Sequence, residues 1–292
     1  MHLHLDPVGG IAGDMFVASL LDAFPNLAEG LLAAVRHASL PLVVNCRIVA
    51  HRDHALTGRK FEVDDPYARR RLLSLPGAQQ GARHVPFAEI RERLASSSLG
   101  EGVKVHAIGI FTVLARAEAK VHGTDVDAVA FHEVGAWDSI ADIVGAAYLI
   151  DALGDASWSS GPLPMGSGLV ATAHGLLPVP TPATALLLEG FTLRNDRHGG
   201  ERVTPTGAAI LRYLDCRDRP DGRPRKLLTS GIGFGTRVFP GMSNILRVLV
   251  LENAQASVPS DELDVLAFEV DVRSPEDLAA GTDTLRRVTP GS

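Results

Sequence analysis

The strongest constraint on this chain is a strand-to-helix turn close to its start. Residues 3–5 read as a short strand that breaks at Asp6-Pro7, and Gly9, Gly10 and Gly13 then lead into an apolar-periodic segment over residues 15–24. The same alternation recurs downstream. A helix is expected over 27–37 and a β-branched strand over 40–49, followed by an exposed connection rich in Arg, Pro, Gly and Gln at 67–83. Val105, Ile108, Phe111, Val113, Leu114 and Ala117 give the segment 103–121 an apolar face at helical spacing. A further helix begins near Asp138 and closes at Gly154, where a C-cap glycine belongs. The stretch 159–182 is dense in glycine and proline, which marks ordered loop or edge strand. Helices at 183–188 and 206–214 and strands at 227–232 and 245–251 complete the pattern. The alternation predicts an α/β fold, with α+β as the alternative. Two lobes of mixed sheet with packed helices are expected at 1–158 and 159–252. Residues 253–292 read as a linker and a short strand–helix tail, the remnant of a C-terminal domain.

Composition removes several classes of function. A formal charge of −6 argues against nucleic acid as a partner, because duplex binders carry a clustered basic face. The run Arg69, Arg70, Arg71 is the dense basic cluster, and it reads as a solvated loop or helix face. Cys46 and Cys216 lack CxxC spacing, so they signal neither a disulfide framework nor a thiolate zinc site and read as small buried hydrophobes. No uncharged run approaches the ~20 residues of a membrane span, and no leader is visible, so a cytoplasmic, membrane-free protein is expected.

Three segments carry chemistry. In DPVGGIAGD, residues 6–14, the glycines let backbone amides approach a ligand, and the following helix adds a positive dipole end, so the turn can cradle a phosphate. The spacing is not that of a known nucleotide fingerprint, and a tight turn with Asp14 as an N-terminal capping acid is the plainer reading. Asp6 lies at the carboxyl end of a strand, where α/β proteins place their sites. In FHEVGAWDSIADIVGAA, residues 131–147, His132 and Glu133 precede a loop, while Asp138 and Asp142 share one helix face. Imidazole beside carboxylates binds divalent cations or moves protons, whereas Asp138 as an N-cap and Asp142 as an exposed first-turn acid is the structural alternative. His122 follows the long helix and either ligates metal or favours the helix C-terminus electrostatically. His174 stands in a proline-framed loop that can fix its orientation. His2 and His4 read as tag-like or structural, and His51 and His54 as surface. The third segment set is GSG at 166–168, TPTG at 204–207 and GFGTR at 233–237. There Thr204, Thr206 and Arg237 can meet an anionic ligand, although each motif is a capping or turn device when taken alone.

Taken together these stretches resemble the nickel-insertion protein family of nickel-pincer cofactor biosynthesis. The resemblance rests on DPVGGIAGDMFVASLLDA, AEAKVHG, FHEVGAWDSIADIVGAA, HGLLPVPTPATALLLEG, ERVTPTGAAIL and GFGTRVFPGMSNILRVLV, spread over residues 6–250. It implies an enzyme, a nickel chelatase or cyclometallase of the lyase class, acting on pyridinium-3,5-bisthiocarboxylic acid mononucleotide. Such an enzyme inserts nickel between the two sulfurs and replaces a ring proton with a nickel–carbon bond. It also implies CTP with a divalent cation, manganese or magnesium. Soft sulfur on the substrate suits nickel, and the carbon-bound proton requires a base.

On this resemblance His132 and Glu133 serve as base or transient nickel ligands, with Asp138, Asp142, His122 and His174 as further metal or supporting positions. Asp6, Gly10, Gly13, Asp14, Thr204, Thr206 and Arg237 then line the nucleotide site. Two features depart from the family pattern. A histidine-rich run common in relatives is reduced to His84 between residues 67 and 85, and Glu269, Val270, Asp271 and Val272 stand in place of Asn-Ile-Asp-Asp. CTP use is therefore lost, supplied by a separate C-terminal-domain polypeptide, or replaced by another nucleotide. A homo-oligomer is compatible with the sequence. The competing functions are a non-enzymatic nickel carrier and a divalent-metal-dependent enzyme processing a nucleotide or phosphate.

Overall fold

The computed structural model describes residues 1–38, 45–64, 85–131, 137–172, 175–217 and 224–252. In chain order the elements are β1 (His2–Asp6), α1 (Gly13–Ala23), α2 (Ala28–His37), β2 (Asn45–Asp53) and β3 (Leu56–Asp64). They continue with β4 (Val85–Pro86), α3 (Phe87–Ser96), α4 (Glu101–His122), β5 (Ala130–Phe131), α5 (Trp137–Leu153), β6 (Ser157–Ser160) and β7 (Leu163–Pro164). The last are β8 (Leu169–Thr172), β9 (Gly175–Pro178), α6 (Pro182–Leu187), β10 (Leu193–Arg194), α7 (Pro205–Tyr213), β11 (Leu227–Phe234) and β12 (Ile245–Leu251). The fold is α/β.

Six strands form one mixed sheet in the order β2-β3-β11-β12-β1-β6. β1 lies between β12, which runs antiparallel to it, and β6, which runs parallel. Its side chains alternate: Leu3 and Leu5 are fully buried, while His2, His4 and Asp6 point to the opposite face. His2 and His4 are structural, as expected. The ring nitrogens of His2 lie 2.8 Å from the hydroxyls of Ser157 and Ser159, and His4 lies 2.9 Å from Ser159, which ties β1 to β6.

Helix α1 is apolar almost all the way round, and a helix of that composition is buried on more than one side. One side rests on β3, β11 and β12, and the other packs against α5. Contact with the sheet is made through backbone. A Cβ on Gly231 would stand 2.2 Å from the carbonyl oxygen of Ser19, and one on Gly233 would stand 2.2 Å from that of Met15. Asp22 completes the seam by accepting the Ile232 backbone N–H at 2.9 Å. A Cβ on Gly145 of α5 would stand 3.1 Å from Val17 Cγ2, a looser side-chain contact, and α5 in turn packs on α4. Gly123 and Gly154, with φ of +64° and +56°, follow α4 and α5 as left-handed residues that end helices.

Residues Met1–Asn253 form one compact unit and Ala254–Ser292 a second. β6 spans the position at which the sequence suggests a lobe boundary, and β11 and β12 from beyond it join β1–β3 in the same sheet. The strand expected at 40–49 is found as β2 from Asn45 onward. β3 was not expected; the turn residues His54 and Ala55 join it to β2 as a hairpin. The connection at 67–83 and the expected strand and helix after residue 262 lie outside the described residues. Among the described residues no single helix is long and apolar enough to cross a membrane.

Candidate functional site

The glycine-rich turn is anchored by arginine rather than opened to a ligand. The Val8, Gly9 and Ile11 amides donate to the carbonyls of Asp6, Ile245 and Arg202 at 2.8–2.9 Å. Its carbonyls are taken as well: Arg202 Nε donates to Gly9 at 2.6 Å, and Arg194 Nη2 donates to Pro7 and Val8 at 3.0 Å. Three amides that the sequence offered for a phosphate are thus committed inside the protein. Gly10, with φ of +142°, presses against the Arg202 carbonyl. Asp6 is occupied too, its Oδ2 receiving Arg247 Nη2 at 2.5 Å and Nε at 3.1 Å on the sheet face away from α1.

What the turn delivers is the start of α1, set against α5 and α7. A Cβ on Gly13 would lie 2.6 Å from Asp142 Cβ and 2.9 Å from Thr206 Cγ2. Asp14, Asp138 and Asp142 therefore face one another from two helices, near enough for their charges to interact. Asp14 is not the N-cap of α1. Ala12 holds that position, and the Asp14 carboxylate accepts the Met15 amide at 2.8 Å. Asp138 makes the corresponding bond to the Ser139 amide, also at 2.8 Å. Thr204 does act as a cap, accepting the Gly207 N–H of α7 at 3.2 Å, while Thr206 is buried against Gly13.

The electrostatics of this cluster are unusual. Burial pushes the Asp14 carboxyl up to about 6, with Asp138 adding to the rise and the Met15 amide and Lys60 opposing it. Burial together with the charges of Asp14 and Asp138 raises Asp142 well above the carboxylate range, and the Asp14 amide opposes this in part. Asp142 Oδ1 is buried and has no hydrogen-bond partner among the described residues. A buried acceptor without a donor is costly, so the protein retains it against its own stability. The Cys46 thiol of β2 is pushed up to about 12 by burial and by Asp142, which keeps it protonated.

His132, Glu133 and His174 lie outside the described residues, although the first two belong to the segment that leads straight into α5. His122 ends α4, exposed, with Glu118 3.5 Å from its Nε2. Arg237 is exposed and stacks over Phe239 at 5.4 Å. Among the described residues no set of three or more His, Cys, Asp or Glu side chains is arranged to hold a metal ion. Sequence reasoning missed Lys60 and Cys46, which depend on β2 and β3 being a hairpin. It also missed Arg194 and Arg202, whose role shows only in the turn they anchor.

The fold and this cluster define a class: α/β proteins in which helix-borne carboxylates converge where charge is expensive to bury, which raises their affinity for protons. The chain belongs to the nickel insertion protein family, whose profile it matches over residues 3–289. A nickel insertion protein of Geobacter sulfurreducens is 44% identical over 274 residues, which cover 94% of this chain and 67% of the relative. One from Geobacter metallireducens is 41% identical over 278 residues, with 94% and 66% covered. One from Myxococcus xanthus is 36% identical over 279 residues, again with 94% and 66% covered. The chain thus spans about two thirds of the length of these relatives. No solved structure matches it.

Proposed function

We propose that this protein inserts nickel into pyridinium-3,5-bisthiocarboxylic acid mononucleotide, giving the nickel-pincer nucleotide. The observation that carries the reading is the convergence of Asp14, Asp138 and Asp142, with a buried carboxylate oxygen left without a donor. In the reaction the ring C–H between the two thiocarboxylates breaks, a nickel–carbon bond and two nickel–sulfur bonds form, and one proton leaves. The metal remains divalent, so no oxidant or reductant is required.

Thiolate sulfur on the substrate holds the soft side of nickel, so the protein need not supply a permanent ligand set of its own. The proton needs a base matched to neutral pH. His132 and Glu133 keep that role from the sequence. Asp14, at about 6, is ionised in most molecules at pH 7 yet more basic than an ordinary carboxylate, which suits it to relay the proton. Manganese or magnesium accompanying CTP would screen nucleotide phosphate charge when bound, although among the described residues no set of three or more His, Cys, Asp or Glu side chains is arranged to hold it. The protein acts in this reading as a metal-inserting lyase in the cytoplasm.

The test is direct. Purified protein, nickel, the dithio-pyridinium mononucleotide and CTP with manganese are incubated, and the metallated product is sought by mass spectrometry. Product that is lost with His132→Ala and reduced at least tenfold with Asp142→Asn supports the reading. Nickel binding without product would make the protein a carrier, and phosphate release from CTP with magnesium alone would make it a nucleotide-processing enzyme. Omitting CTP in one arm decides whether this chain depends on it.

A further inference from the structure

Arginines crowd one side of the glycine turn, and they are not equally engaged. Arg194 and Arg202 share the carboxylate of Asp196, at 3.2 Å and 2.9 Å, and donate to the turn carbonyls described above. Arg202 is buried, and its guanidinium lies 4.5 Å from the centre of the Phe239 ring. Arg237 also stacks on Phe239, at 5.4 Å. Unlike Arg194 and Arg202, it makes no hydrogen bond or ion pair through its side chain among the described residues. A guanidinium carries five donors in a fixed fork, so these donors are available to a ligand.

The Arg237 fork is also held in place. A Cβ on Gly200 would stand 2.0 Å from Nη1 and 2.1 Å from Nη2 of Arg237, so the fork occupies the space that a side chain at Gly200 would fill. Gly200 has φ of +84° and forms an antiparallel bridge with Ser167, its N–H donating to the Ser167 carbonyl at 2.6 Å. The Ser167 hydroxyl lies 3.6 Å from where a Cβ on Gly199 would stand, so the hydroxyl and the Arg237 fork flank the successive residues Gly199 and Gly200. The Asn244 side-chain amide donates to the Arg237 carbonyl at 3.0 Å and steadies the backbone from below. The Ser167 hydroxyl makes no hydrogen bond among the described residues, and the residue is exposed.

We propose that Arg237 and Ser167, over the Gly199–Gly200 backbone, form a binding site for a phosphate monoester. A planar fork beside a hydroxyl offers three donors in different directions, which matches the three terminal oxygens of a phosphate better than the two of a carboxylate. Arg194 and Arg202 behind Phe239 add to the positive field that a dianion requires. The geometry assigns the anion site by itself; reading its occupant as the phosphate of the mononucleotide substrate rests on the nickel-insertion proposal. The site lies at one end of the stretch 200–206, and Thr206 at the other end touches Gly13 of the aspartate cluster. The six residue steps from Gly200 to Thr206 span at most ~20 Å, which bounds the backbone separation of the two ends.

Titration calorimetry of the full chain tests this without metal or turnover, using nicotinic acid mononucleotide, nicotinic acid riboside and inorganic phosphate as probes. The mononucleotide should bind at least tenfold tighter than the riboside and be displaced by phosphate. Arg237→Gln should cost about tenfold in mononucleotide affinity, with Arg237→Lys recovering part of it and both variants melting within a degree or so of the parent chain. Equal binding of mononucleotide and riboside, or unchanged binding in Arg237→Gln, overturns the site. Phosphate binding as tightly as the mononucleotide supports the anion site and overturns the nucleotide as its occupant. Phosphate-dependent binding with no metallated product under the conditions above leaves the site standing and removes the nickel-insertion reading.

Discussion

Gly13 and Asp142 meet so closely that the glycine has no room for a side chain, since a Cβ would stand 2.8 Å from Asp142 Oδ2 as well as 2.6 Å from Cβ. The obstacle is the root of a helical side chain and cannot swing aside. Gly13→Ala should therefore push α1 from α5 and cost about 1–3 kcal/mol, the usual range for overpacking. Urea unfolding measures this, and a midpoint equal to that of the parent chain would show that the two helices separate freely.

The same carboxylates make stability depend on pH. Asp14 and Asp142 have folded-state values raised above those of an unfolded chain, so the native protein holds more protons than the denatured one between about pH 4 and the folded-state values. Their stabilising contribution is complete below pH ~4 and is lost as pH rises through about 6 for Asp14 and higher for Asp142. Asp142→Asn removes the charge while keeping the shape. It should stabilise the protein at pH 8 by on the order of 1–3 kcal/mol and flatten the fall in stability between pH 5 and pH 8. Denaturant titrations at those two values decide the matter, and a variant as pH-sensitive as the parent would refute it.

Arg202 holds the glycine turn from within, so its removal should be felt in folding before function. Arg202→Met strips donors from the Gly9 and Val8 carbonyls and leaves Asp196 with Arg194 and the His198 amide. Breaking one partner of a buried ion pair typically costs about 3–5 kcal/mol. Thermal melting of the variant, with no more than a small loss in Arg194→Met, would match the deeper burial of Arg202; equal losses would not.

Cys46 should react sluggishly despite its partial exposure. With its thiol at about 12, only about one molecule in ten thousand carries a thiolate at pH 8. Ellman's reagent should modify it orders of magnitude more slowly in the folded protein than in urea, and rapid labelling of the native chain would contradict the burial described for this residue.

Much of the fold was legible because its elements are strongly periodic. β11 and β12 carry β-branched and apolar runs between glycine turns, and α4 and α5 end at glycines whose positive φ marks the stop. Convergence of the early turn with the acids of α5 was also foreseeable, since both stretches place acid next to glycine in apolar surroundings. The role of the turn was not. Its glycines suggest amides open to phosphate, yet the Val8, Gly9 and Ile11 amides are claimed by the carbonyls of Asp6, Ile245 and Arg202, and Gly9 and Ile245 are 236 residues apart in sequence. β3 escaped notice because Thr57, Arg59, Lys60 and Glu62 are polar, and its pairing with β2 and β11 is set by tertiary context rather than by local preference.

The seam between α1 and β11, where glycine meets main chain, has a consequence for how this protein can change over evolutionary time. Two backbones in direct apposition leave no adjustable layer between them, so the height of α1 above the sheet is a fixed length. Conservative exchanges of Leu, Ile or Val in the remaining core can raise or lower the melting temperature while Asp14 keeps its station. Sequence drift would then be tolerated in the outer layers of the core and scarcely at all at Gly231 and Gly233.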